Sequence, residues 1–204
     1  MSVSSELLVA GFNDAVHDGQ QVFRALLTAM SEPGKLQQPN LIAEGPGALN
    51  ANSWQVALAL LDADTPVWLS ERLAADAAIS SNLRFHCQSP QVDSPQHAAF
   101  ALCDASDVPD ITLLNMGSAE QPDRSTTLIV QVPAISNEPH WTLTGPGIAT
   151  ERQLRIGGLS STFVEQLIAS RQRFPMGIDC IFCSADTLVA VPRSTQIDIN
   201  MGGR

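Results

Sequence analysis

Between Phe174 and Thr195 the chain reads FPMGIDCIFCSADTLVAVPRST, and no other segment restricts the possible folds as much. Two apolar runs, Ile178 to Cys183 and Leu188 to Val191, flank Ser184-Ala185-Asp186-Thr187. Short apolar runs split by turn formers predict a β-hairpin. Neither run alternates between apolar and polar residues, so both faces of these strands are expected to be covered, as in a central sheet between helical layers. Asp179 is the lone charge in the first run, and an isolated buried carboxylate is costly. A three-residue turn sets Arg193 opposite it; a two-residue turn sets Pro192 there, and the sequence leaves both registers open.

With 204 residues, 44% of them hydrophobic, the chain can bury one sizeable core. A single domain over residues 1–204 is expected, with loose termini at about 1–11 and 198–204. The start, MSVSSELLVAGFNDAV, lacks the basic and apolar blocks of a signal peptide, and no long apolar segment follows, so a cytoplasmic protein is expected. A net charge of -10 and a pI near 4.6 argue against a nucleic-acid or anionic-membrane partner, which demands a basic surface.

The basic residues are ten Arg and a single Lys, Lys35, just after Pro33-Gly34. Arg suits carboxylate and phosphate, whereas Lys forms Schiff bases. The four cysteines, 87, 103, 180 and 183, are expected to be reduced. Cys180-Ile-Phe-Cys183 has the spacing of a redox or half-zinc motif. It lies inside an apolar run, where strand alternation aims the two sulfurs at opposite faces, so a pair of core thiols is the preferred reading and no metal is expected.

Asn13 or Asp14 caps a first helix whose Val16, Phe23, Leu26, Leu27 and Met30 follow helical spacing with one face inward, ended by Ser31-Glu32-Pro33-Gly34. Arg24 on this helix is either solvated or a contact to a partner or ligand. An irregular connection leads to a second, buried helix, Trp54 to Leu61. Asp62-Ala63-Asp64-Thr65-Pro66 reads as a capped turn before a short strand, Val67 to Leu69. A short helix, Leu73 to Ile79, precedes Leu83-Arg84-Phe85-His86-Cys87, read as a strand with Arg84 and His86 on one face, able to hold an anion or simply exposed. Further strands are expected at Ala98 to Leu102 and Thr126 to Val132, with a helix from Asp107 to Met116 between them. After a polar turn at Ser136 to Pro139, Trp141 to Thr144 runs into Gly145-Pro146-Gly147, whose glycines allow close backbone approach or an anion cradle. Arg152 to Ile156 is extended. Thr162 and Glu165 have the form of a capping box for a last helix, whose dipole Arg171 and Arg173 complement. A tail from Ser194 onward is expected to fray at Met201-Gly202-Gly203.

Several of these stretches, in order, resemble the PhnH family of the bacterial carbon-phosphorus lyase system. They are Val22-Phe23-Arg24, Ala29 to Gly34, Asp62 to Ser70, Leu83 to His86, Thr127 to Val132, Leu143 to Ile148, Phe174 to Asp179 and Val191 to Thr195. The resemblance runs from about Phe12 to about Ile197. It implies a three-layer α/β/α fold with a mixed sheet, similar to the pyridoxal-phosphate-dependent transferases but without that cofactor. Lys35, the only lysine, sits beside a turn and matches no strand-borne Schiff-base lysine. The family also implies work with PhnG, PhnI and PhnL in forming ribose 1-methylphosphonate 5-triphosphate from ATP and methylphosphonate, with adenine released. It further implies a core complex with PhnG, PhnI and PhnJ, and a homodimer in isolation.

Holding a triphosphate through an oxocarbenium-like transition state needs clustered cations in a dry site. This acidic chain offers few, so a structural or auxiliary subunit is the leading expectation. The alternative is an enzyme with its own pocket built from Arg24, Arg84, His86, Asp179 and Arg193. Gly145 and Gly147 complete the set of candidate anion or partner contacts.

Overall fold

In the computed structural model, which describes residues 7–199, the hairpin is formed by β6 (Asp179–Cys183) and β7 (Leu188–Val191). Cys183 pairs with Leu188 and Ser184 N donates to Thr187 O, leaving Ala185-Asp186 as a two-residue turn. All four residues of β7 and the last four of β6 are buried. Those strands lie in a five-stranded sheet with β1 (Val67–Leu69), β2 (Phe100–Asp104) and β3 (Thr127–Gln131), in the order β1-β2-β3-β6-β7. Pairing is parallel from β1 to β6 and antiparallel at β7, so the protein is α/β with a mixed sheet.

Alternation along the strands divides the core in two. Leu102, Ile129, Ile181 and Ala190 pack under the long helices α1 (Ala15–Ser31) and α2 (Ala51–Leu60), against Val22, Leu26 and Trp54. Cys103, Val130, Phe182 and Val189 face the other way. That second layer is not purely helical, as the three-layer expectation had it. It combines α5 (Ser161–Ser170) with a three-stranded antiparallel sheet, ordered β5-β4-β8, of β4 (Ile135–Thr144), β5 (Arg152–Ile156) and β8 (Gln196–Ile199). Trp141, Leu154 and Phe163 close this half.

Several local expectations are corrected. The segment Leu73 to Ile79 is two short helices, α3 (Glu71–Ala74) and α4 (Ala77–Asn82), broken where Asp76 caps the second. Leu83–Cys87 is a π-helical turn continuing α4, not a strand: Leu83 and Cys87, four apart, are both buried, a helical spacing hidden in a short apolar run. The helix expected from Asp107 to Met116 is reduced to a 3-10 turn at Ile111–Leu113. There Asp107 accepts Asp104 N and Arg72 N while Asp110 accepts Thr112 N, and such local side-chain bonds compete with a helix. Ser136 to Pro139 belongs to β4, in a stretch of shifted register where Pro139 need not donate. Ser160, rather than Thr162, caps α5 by accepting Phe163 N.

The first and last described residues are tied to the rest of the fold. Asn82 accepts Val9 N and donates to Leu7 O, and Asp198 and Ile199 pair with Thr142 and Trp141 in β4. The expected fraying at Met201 to Gly203 lies outside the described residues. Among the described residues no helix is long and apolar enough to cross a membrane.

Candidate functional site

Asp179 opens β6 and Arg193 follows β7, and the two meet as an ion pair whose side chains are only 14% and 15% exposed. Asp179 also accepts Arg193 N at 2.7 Å, while the Arg193 guanidinium donates to Pro122 O. Each of the three guanidinium nitrogens therefore has a partner within the protein itself. Gly145 and Gly147 lie close by. A Cβ on Gly145 would stand 3.0 Å from Ser194 O, and one on Gly147 would stand 2.0 Å from Ser31 O; both residues have positive φ. These glycines let the β4 turn pack against the end of α1 and the segment after β7, so their surroundings are backbone rather than an open anion cradle.

Arg84 and His86 do not share a face. On the π turn Arg84 is exposed, whereas His86 turns inward, its Nε2 3.0 Å from Val9 O and its ring edge-on to Trp54 and Phe85. His86 thus holds the amino-terminal segment against α2. Arg24 is exposed on α1, in a shallow cleft of about 410 Å³ with His17, Gln20 and Gln21. No hydrogen bond or ion pair among the described residues links the three groups Arg24, Arg84–His86 and Asp179–Arg193 to one another.

Other arginines are engaged in the same manner. Arg171, read from sequence as a dipole partner, is 2% exposed and donates to Ile178 O and Val191 O across the hairpin. Burial lowers its pKa, against the opposing pull of Cys180 and Asp179. Arg152 donates to Glu32 O and Pro33 O, Arg155 pairs with Glu138, and Lys35 pairs with Glu32 at 2.7 Å. Cys180 and Cys183 sit in the two opposite halves of the core, as alternation predicts, and burial pushes both thiols up to about 12.

The carboxyl ends of the parallel strands, where open α/β sheets receive ligands, carry a cleft that the sequence reading missed. It is about 410 Å³ and is lined by Asn50, Asp104, Ser106, Gln131, Pro133 and Ala185, among others. Asp104, Gln131 and Cys183 stand side by side at the ends of β2, β3 and β6. Gln131 accepts Asn50 N at 2.6 Å and donates to Ala48 O and to Asp104; Asn50 donates to Cys183 O. Burial would raise the Asp104 pKa, but the hydroxyl and amide of Ser106, Gln131 and the charge of Arg72 outweigh it and hold the carboxyl below its ordinary value. With Asp107 beside it and Arg72 the nearby cation, this edge is rich in acceptors. It suits hydroxyl or amino donors and disfavours a polyphosphate. The signal in sequence was a polar residue ending two of the apolar strands, Asp104 of β2 and Gln131 of β3, and the expected strand Ala98 to Leu102 stopped short of the first.

These features define an α/β protein whose polar residues chiefly hold its own chain together and whose sheet ends in a small acidic cleft. Residues 10–198 match the family model described as bacterial phosphonate metabolism protein (PhnH), and the chain belongs to that family. It is 33% identical, over 97% of its length and 99% of the relative's, to the alpha-D-ribose 1-methylphosphonate 5-triphosphate synthase subunit PhnH of Rhizobium meliloti (strain 1021). It is 30% identical to the putative C-P lyase subunit protein HtxG of Stutzerimonas stutzeri, over 88% of this chain and 86% of that one.

Proposed function

We propose that this protein is a structural or auxiliary subunit of the assembly that converts ATP and an alkylphosphonate such as methylphosphonate to ribose 1-methylphosphonate 5-triphosphate, releasing adenine. The observation that carries the reading is the near full-length similarity to a synthase subunit, together with the engagement of Arg152, Arg171 and Arg193 by the protein's own carbonyls and carboxylate. Cations already held this way do not clamp a triphosphate, so the polyanion is met by other subunits.

Partners in this reading are PhnG, PhnI, PhnJ and PhnL, the location is the cytoplasm, and the isolated protein is a homodimer. A framework similar to pyridoxal-phosphate-dependent transferases, without the cofactor, belongs to the same reading. The position of Lys35, exposed and paired with Glu32, supports it.

The test is adenine release from ATP and methylphosphonate. The isolated protein is expected to give none, and a mixture of this protein with PhnG, PhnI and PhnL is expected to turn over. Sustained release by the isolated protein sinks the auxiliary role. Equal turnover by the mixture lacking this protein sinks the subunit role.

A further inference from the structure

In the cleft beyond the carboxyl ends of β2 and β3, side-chain donors are spent and acceptors are left over. Both amide protons of Gln131 are committed, one to Ala48 O at 2.9 Å and one to Asp104 Oδ2 at 3.1 Å. The Ser106 hydroxyl donates to Asp104 Oδ1 at 2.7 Å. Among the described residues Asp104 Oδ2 accepts the Gln131 amide alone, and a carboxylate oxygen has room for a second donor. Ser106 Oγ, having given its proton away, is the acceptor next to it. Arg72 already offsets the Asp104 charge, its Nη1 3.5 Å from Oδ1, so neutral donors suit the cleft better than a second cation. Val132, Pro133 and Ala185 add apolar lining, and the volume of about 410 Å³ is that of a small-molecule site. Other clefts lack this character. The one holding Arg24 is lined by residues of α1 alone, and in the one around Lys35 and Arg152 both cations are held by Glu32, through its carboxylate and its carbonyl.

We propose that this cleft binds the ribose of a nucleoside, one ring hydroxyl donating to Asp104 Oδ2 and its neighbour to Ser106 Oγ. The inference rests on the subunit reading above and deepens it. The sugar of the nucleotide is held here, while its phosphates, which an acceptor-rich edge repels, extend to other subunits. Asp104 is the last residue of β2, a parallel strand, and a carboxylate near a strand end is how open α/β sheets hold ribose hydroxyls.

Calorimetric titration of the full chain with adenosine, adenine, ribose and a dideoxyadenosine lacking both ring hydroxyls tests the assignment. Adenosine is expected to bind, and the dideoxy analogue to bind at least about tenfold more weakly. Two variants are compared: Asp104→Asn, and Ala185→Trp, which fills the cleft from the exposed hairpin turn. Circular dichroism melts confirm that both are folded, and each is expected to lose about tenfold or more in adenosine affinity. No adenosine binding at about 1 mM, equal affinity for the dideoxy analogue, or wild-type affinity in both variants overturns the proposal. Adenine or ribose alone matching adenosine assigns a different ligand and overturns it too. In the mixture with PhnG, PhnI and PhnL, both variants are expected to raise the KM for ATP by about tenfold. A wild-type KM in both overturns the site and leaves the subunit reading standing, whereas equal turnover without this protein removes the reading itself.

Discussion

Arg193 pairs with Asp179 even though the hairpin sets Pro192, not Arg193, opposite that carboxylate. The register that aligns Cys180 with Val191 places the next pair at Asp179 and Pro192. Proline has no N–H to offer, so the carboxylate takes the following amide, Arg193 N, at 2.7 Å and the Arg193 side chain folds back over it. Removing one partner of such a nearly buried pair strands the other. Asp179→Ala is expected to lower stability by about 3 to 5 kcal/mol, with Asp179→Asn costing less because its oxygen still accepts Arg193 N. Urea denaturation measures both, and a loss below about 1 kcal/mol for the alanine variant contradicts this account.

Gly147 is the tightest point between β4 and the end of α1. With φ at +83 and Ser31 O 2.0 Å from the place of a Cβ, Gly147→Ala combines backbone strain with a clash against main chain. A loss of about 3 kcal/mol or more is expected. Gly157→Ala, where the nearest atom is 3.5 Å away, is expected to stay within about 0.5 kcal/mol of wild type. Equal melting temperatures for the two variants contradict the packing role.

Asp104 gives the acid side of the stability profile a defined sign. Its folded pKa lies below the ordinary value, so near and below about pH 4 the unfolded chain binds more protons than the folded one. Its contribution is present above the unfolded pKa and is lost as pH falls through the folded pKa. Asp104→Asn is expected to flatten the fall in melting temperature between about pH 4 and pH 2. An unchanged slope assigns the acid sensitivity to other carboxylates.

All four cysteines are buried, and Cys87, Cys180 and Cys183 have pKa values pushed up to about 12. Thiolate is the reactive form, so native protein is expected to resist a thiol reagent at pH 8. Labelling then tracks unfolding as urea is added. Rapid labelling of any of the four in the native state contradicts the buried placement.

The hairpin and the strands Val67 to Leu69 and Thr127 to Gln131 were legible because their residues are mostly apolar or β-branched runs bounded by turn formers. The opposed sulfurs of Cys180 and Cys183 followed from strand alternation alone. The outward stripe of α1 was misread: Val16, Phe23 and Leu27 keep helical spacing just as Leu26 does, and spacing does not say which of two stripes meets the core. Asp104 and Gln131 were missed because the cleft they line exists only where β2, β3 and the start of α2 converge from distant parts of the chain.

What the amino-acid order settled by itself was local: which runs become strands, where Pro and Gly interrupt them, and that acidic residues outnumber basic ones and leave a net charge of -10. Tertiary structure alone decided which arginines are committed. The burial of Arg171 and the fastening of Arg152 to Pro33 O and of Arg193 to Pro122 O depend on carbonyls 7, 119 and 71 positions away in sequence. Periodicity reports a residue's side of its own element, and a hydrogen-bond partner on another element is fixed only when the elements pack.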